Sequence, residues 1–171
     1  MSATQDVRQL NAHLLALARQ YAEQIHDTLG ENLVSVVLFG SVVRGETGPY
    51  SDIDLFIVLE DAPHGMIRRR ALLEPAREAL TPVLEELWDQ DIYTDFVEII
   101  RTRHEAQHFH PVYLDMTQES VLLYDKEGFM AGVLEQLRKR LQSLGARRKR
   151  VGRVHYWDLK PDLQPGEVIE L

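Results

Sequence analysis

The chain has 171 residues, is 44% hydrophobic and carries a formal charge of −8, which suits one compact domain with a sizeable core and argues against a surface that binds nucleic acid all over. It contains no cysteine, which excludes a disulfide scaffold, cysteine-ligated zinc and thiol nucleophiles and accords with a reducing, cytoplasmic setting. Met1 to Leu10 has no apolar stretch behind a positive flank, and no apolar run approaches the ~18 residues of a membrane span, so an unexported protein with no membrane partner is expected.

In chain order, Val7, Leu10, Leu14, Leu17, Tyr21, Ile25 and Leu29 recur at spacings of three and four and predict a helix over 7–29, stopped by Gly30. Leu33–Phe39 and Ile53–Leu59 are short, apolar and β-branched, as strands buried on both faces are. Between them, Gly40 to Ser51 contains Gly45, Gly48 and Pro49 and reads as a loop. His64 to Trp88 reads as a helix that Pro75 and Pro82 break or kink, because proline lacks the amide donor and clashes with the preceding turn. A third strand is predicted over 92–100. Thr102 with Glu105 has the pattern of a capping box opening a short helix that Pro111 interrupts. Val121–Tyr124 is strand-like, Phe129–Leu144 is a further amphipathic helix ended by Gly145, and the tail from Val151 carries no clear signal. The order predicts an α/β (α+β) domain with a mixed β-sheet flanked by helices, as a single domain over 1–171: a core over about 30–100 and a helical C-terminal portion over about 101–171.

The chemistry concentrates around the first two strands. Asp52 and Asp54 are two apart at a strand start, so their side chains project from one face and can share a cation site. Magnesium prefers hard oxygen ligands, and two ions about 3.5–4 Å apart can hold the oxygens of a phosphoryl displacement. Gly40-Ser41 directly follows the first strand, where glycine permits close backbone approach and amides with a serine hydroxyl can hold phosphate oxygens. The two strands therefore bring metal and phosphate ligands to one corner.

Val36-Val37-Leu38-Phe39-Gly40-Ser41, Arg44-Gly45 and Ser51-Asp52-Ile53-Asp54-Leu55, with ten residues between Ser41 and Asp52, resemble the signature of minimal nucleotidyltransferases of the DNA polymerase β-like superfamily, of the small prokaryotic stand-alone or antitoxin-like type. Pro111 to Met116 and Tyr124-Asp125 also look like such proteins. The resemblance implies a mixed-sheet nucleotidyltransferase fold and metal-dependent transfer of a nucleoside monophosphate from a nucleoside triphosphate, ATP favoured, to a protein, RNA or small-molecule acceptor, with release of pyrophosphate. It implies two Mg2+ ions, with Mn2+ as an alternative, held by Asp52, Asp54 and a third carboxylate on a later strand. Asp95 best matches that position, with Glu98 next; their strand parity differs, so only one can face the metals. Gly40, Ser41 and Arg44 would take the triphosphate, with Arg44 neutralising its charge. Two other outcomes belong to the same resemblance: an antitoxin-like protein acting mainly by binding a HEPN-type toxin, and a nucleotide-binding regulator with a degraded site. Aminoglycoside modification is open to the superfamily but nothing singles it out, and 171 residues leave little room to grip a primer and template.

Three other features have plainer readings. His104, His108 and His110 invite zinc, since histidines four apart share a helix face, but surface or packing roles suit them better in the absence of a nearby ligand cluster. Arg138 to Arg153 is a basic stretch that could meet an RNA acceptor, as could Arg68–Arg70, although such runs are usually solvated faces. Tyr156 and Trp157 could stack on a base, but more often such residues anchor a tail.

Overall fold

The computed structural model describes residues 3–152 and 154–171. Its centre is a mixed sheet of four strands in the order β3-β2-β1-β4: β1 (Leu33–Phe39), β2 (Ile53–Leu59), β3 (Phe96–Thr102) and β4 (Val121–Asp125). β1 pairs antiparallel with β2 and β4, while β2 pairs parallel with β3. The apolar runs of β1 and β2 explain their central place, since Leu33 to Leu38 and Leu55 to Leu59 are all buried. Each apolar side chain so buried contributes about 1.5–3 kcal/mol, so the ends of β1 and β2 are firmly held.

Helices cover both faces. On one side α1 (Ala3–Leu29) and α4 (Glu74–Trp88) pack on Leu33, Val36, Leu38, Ile53, Leu55 and Ile57. On the other, α6 (Val112–Met116) and α7 (Phe129–Ser143), with Ala106 of the short α5 (Arg103–Ala106), pack on Val34, Val37, Phe56 and Val58. The alternation of β2 divides it cleanly between the layers, as period two requires. β3 is an edge strand whose outward carbonyls are capped: Arg77 donates to Phe96 O at 3.1 Å and Arg69 to Ile100 O at 3.0 Å.

Several boundaries differ from the sequence expectation, each for a local reason. The predicted helix over 64–88 is two helices, α3 (Met66–Ala71) and α4. Pro75 lies in the first turn of α4, where no amide is needed, and Pro82 is carried inside the helix on its exposed side, where the freed carbonyl meets water. β3 begins at Phe96 rather than Ile92, because Tyr93 N donates to Pro49 O and Thr94 O accepts from Trp88 Nε1 instead of pairing with β2. The expected loop after β1 opens with one helical turn, α2 (Ser41–Arg44). The capping box at Thr102 and Glu105 forms as expected. Past 101 the three helices share the chain with two features of strand type: β4 completes the main sheet, and β5 (Arg147–Val151) pairs with β6 (Val154–Asp158) in a hairpin where no element was assigned beyond Val151.

Candidate active site

The end of β1 and the start of β2 lie side by side, with Phe39 paired to Asp54. Gly40 then turns the chain at φ 79° and ψ −154° into α2, a conformation open essentially to glycine alone. Space enforces the same choice, because a Cβ on Gly40 would overlap the Asp54 carboxylate. The backbone of the turn and the Asp54 side chain are thus packed directly together. Ser41 opens α2 directly after Gly40, and the first amides of a helical turn have no intrahelical acceptor, which leaves them available to a ligand.

Asp54 is half-buried and Asp52 exposed. Burial, and then the neighbouring Asp52 charge, push Asp54 above the ordinary carboxylate range, with Arg44 offsetting part of the effect. Among the described residues no hydrogen bond relieves it. A half-buried carboxylate crowded by a second one and given no donor is short of positive charge, which a hard divalent cation supplies. Arg44 Nε also donates to Glu46 Oε2 at 3.0 Å.

The carboxylates of β3 are disposed in the opposite way. Val97 is the residue paired with Asp54, and Leu55 the one paired with Glu98, so Glu98 points to the α1 and α4 layer. There it is buried, bonded by Tyr21 Oη at 2.9 Å, by Arg77 Nη1, and approached by Arg70 at 3.7 Å. Asp95 has the parity of Asp54 but precedes the strand, and its Oδ1 accepts from Arg77 Nη2 at 2.7 Å and from Phe96 N at 2.7 Å. Burial pulls the Arg77 guanidinium down, but Glu98 and Asp95 more than reverse this and raise it. The Tyr21 phenol is pushed up by burial and by Glu98. The structure therefore brings Gly40, Ser41, Asp52 and Asp54 together, with Arg44 beside them, and holds Asp95 on Arg77. Among the described residues no group of three or more His, Asp and Glu side chains is placed to hold a metal ion.

Arg77 is the residue that sequence reasoning missed. Its signal was an arginine inside the apolar stripe of α4, four after Leu73 and three before Leu80, where a charge has to find partners. The histidines are elsewhere: the rings of His104 and His108 lie 5.0 Å apart, and His108 Nδ1 meets the His104 carbonyl at 3.0 Å. The basic stretch divides between α7 and β5. Within it Arg148 is bonded to Glu119 at 3.0 Å and Lys149 to Asp158 at 2.6 Å, whereas Arg153 lies outside the described residues. Trp157 packs against the second core, which anchors the hairpin. No helix among the described residues is long and apolar enough to cross a membrane.

Residues 19–114, more than half of the chain, match the model of the nucleotidyltransferase domain. A Methanocaldococcus jannaschii protein whose name assigns it provisionally as a protein adenylyltransferase is 24% identical over 119 residues, 70% of this chain and 77% of the relative. A solved toxin–antitoxin structure with AMP-PNP aligns at 17% identity and a TM-score of 0.44, covering 74% of this chain and 92% of the other. A Shewanella oneidensis complex of a tri-AMPylated HEPN toxin with an MNT antitoxin aligns at 19% identity and a TM-score of 0.35, covering 80% and 90%.

Proposed function

Because the chain belongs to the nucleotidyltransferase domain family, we propose that it transfers AMP from ATP to a nucleophilic side chain of a protein acceptor, releasing pyrophosphate in a metal-dependent reaction. The observation that carries this reading is the Asp54 carboxylate, half-buried without a hydrogen bond, crowded by Asp52 and packed on Gly40. The name of the archaeal relative supports a protein as acceptor. A toxin encoded beside this chain is the first acceptor to test.

Asp52 and Asp54 offer the oxygens for one or two Mg2+ ions, with Mn2+ an acceptable substitute; when bound, such ions neutralise the phosphate oxygens and help the leaving pyrophosphate depart. Gly40 lets the backbone approach the triphosphate, Ser41 Oγ donates to an outer phosphate oxygen, and Arg44 adds charge once it exchanges Glu46 for phosphate. The acceptor attacks the α-phosphorus in line with the departing pyrophosphate. Asp95 stands on the β3 side of the corner. Its release from Arg77 would supply the third carboxylate and a base for the acceptor's proton, and Glu98 stays behind to hold the guanidinium.

The test uses magnesium, cell extract and ATP labelled either on its α- or on its γ-phosphate. The expected result is a protein band labelled only from the α-position, lost with a chelator and in Asp54→Asn. Tight ATP binding with neither label nor pyrophosphate would instead favour a second reading, a nucleotide-binding regulator without turnover. That reading is motivated by Arg77, which occupies both acids of β3.

A further inference from the structure

Tyr50 and Tyr93 are exposed to 77% and 49% and belong to neither core. Their rings are nonetheless stacked, with centroids 5.8 Å apart and planes only 8° from parallel. The pair is held by backbone. Tyr93 N donates to Pro49 O at 2.7 Å, and Gly48 and Ser51 close the turn around Tyr50 with bonds of 2.9 and 3.0 Å. On the other loop Asp91 sits in the left-handed region at φ 61°, and its carboxylate accepts from Tyr93 Oη at 3.2 Å. Two separate loops are thus fixed so that two exposed aromatic rings lie nearly parallel at one place on the surface.

The place matters as much as the geometry. Tyr50 is two residues before Asp52, and Tyr93 two before Asp95. Two residues of extended chain span at most about 7 Å, which is on the scale of the path from an α-phosphate through ribose to base. We propose that the outer face of this tyrosine pair is a stacking site for the nucleobase of the bound nucleoside triphosphate, with Tyr50 as the platform and Tyr93 as its support. The proposal rests on the nucleotide-transfer reading: with the outer phosphates at Gly40-Ser41 and the reacting phosphate at Asp52 and Asp54, the nucleoside leaves the corner beside Tyr50. Stacking recognises a π-face rather than an edge, so the site takes any base and favours the larger face of a purine.

The experiment compares ATP with tripolyphosphate, which has the charge but no base, by calorimetry in magnesium on the full chain and on Tyr50→Ala and Tyr50→Phe. The expected result is ATP binding weakened about fivefold to 100-fold in Tyr50→Ala, tripolyphosphate binding unchanged, and wild-type ATP affinity in Tyr50→Phe, which keeps the ring. Unchanged ATP affinity in Tyr50→Ala overturns the proposal and leaves the acceptor as the group that stacks. Equal weakening of both ligands also overturns it and marks the pair as a prop for the loops. Wild-type protein that binds ATP no better than tripolyphosphate sinks the stack alone, whereas binding of neither ligand sinks the nucleotide-transfer reading beneath it.

Discussion

Asp52 and Asp54 lie at the start of β2, Asp95 and Glu98 at the start of the neighbouring β3, and the fold treats the two pairs in opposite ways. On β3 both acids share Arg77, with Tyr21 and a backbone amide completing their bonds. At the start of β2 Asp54 is half-buried, takes no hydrogen bond among the described residues, and is pushed up by burial and then by Asp52. An acid that is buried and satisfied, as Glu98 is, holds the structure together, while one that is half-buried and crowded costs stability unless a ligand neutralises it. The comparison sets Glu98, whose charge the fold satisfies, against Asp54, whose charge it does not, with exposed Asp95 held on Arg77 between the two.

The largest expected effect comes from removing the crowded acid. Asp54→Asn should lower nucleotide transfer by about a thousandfold, since metal-assisted stabilisation amounts to several kcal/mol, while its melting temperature is unchanged or raised. A clear loss of stability in a calorimetric melt would break the comparison. Arg77→Met should do the reverse to the fold and cost about 3–5 kcal/mol in urea unfolding, because it leaves the 1%-exposed Glu98 side chain without its close ion pair and with only the Tyr21 hydroxyl and the more distant, half-exposed Arg70. Adding Glu98→Leu to that variant should recover most of the loss, since the uncompensated charge is gone. Gly40→Ala should cost about 1–3 kcal/mol for its backbone conformation and should also weaken Mn2+ binding, read by electron paramagnetic resonance, as its Cβ displaces the Asp54 carboxylate.

The smallest effect is in pH dependence, where the two kinds of acid have opposite signs. Glu105, held down to about 2 first by Arg69, is the paired kind. Its stabilisation is fully present above its ordinary 4.5 and is lost as pH falls through about 2. Asp54 is raised above its ordinary 3.8, so the folded state holds its proton more tightly and stability falls as pH rises through that range. Melting temperatures between pH 2 and 7 should therefore show a shallower acid loss in Glu105→Gln, whereas Asp54→Asn should gain most toward neutral pH.

Much of the fold was legible because β1 and β2 are continuous apolar runs and α1 repeats its apolar residues at helical spacing. The corner was legible for a related reason: Gly40-Ser41 and Asp52-x-Asp54 sit at the ends of those strands, so adjacency in the sheet follows once the strands pair. The state of Asp95 was not legible. Its strand parity favours the Asp54 face, but Asp95 lies just before β3 and its side chain turns to Arg77, and that partner comes from a helix 18 residues earlier. The β5 and β6 hairpin escaped because Arg147 to Arg150 is charged and largely exposed, leaving no alternation of apolar residues to read. Tyr50 and Tyr93 were missed as a pair because nothing in either loop announces the other.

The caps on the outer carbonyls of β3 have a consequence for how the molecule behaves in a crowded solution. A bare edge strand is a template onto which any extended chain can add, and the commonest result is aggregation. Here Arg77 and Arg69 bond to Phe96 O and Ile100 O, and the Glu105 carboxylate accepts from Thr102 N at 3.0 Å. The groups that an incoming strand needs at both ends of β3 are taken by side chains anchored in the protein's own ion pairs. The same arginine that ties Asp95 and Glu98 together therefore also helps to close the β3 edge of the sheet to an added strand.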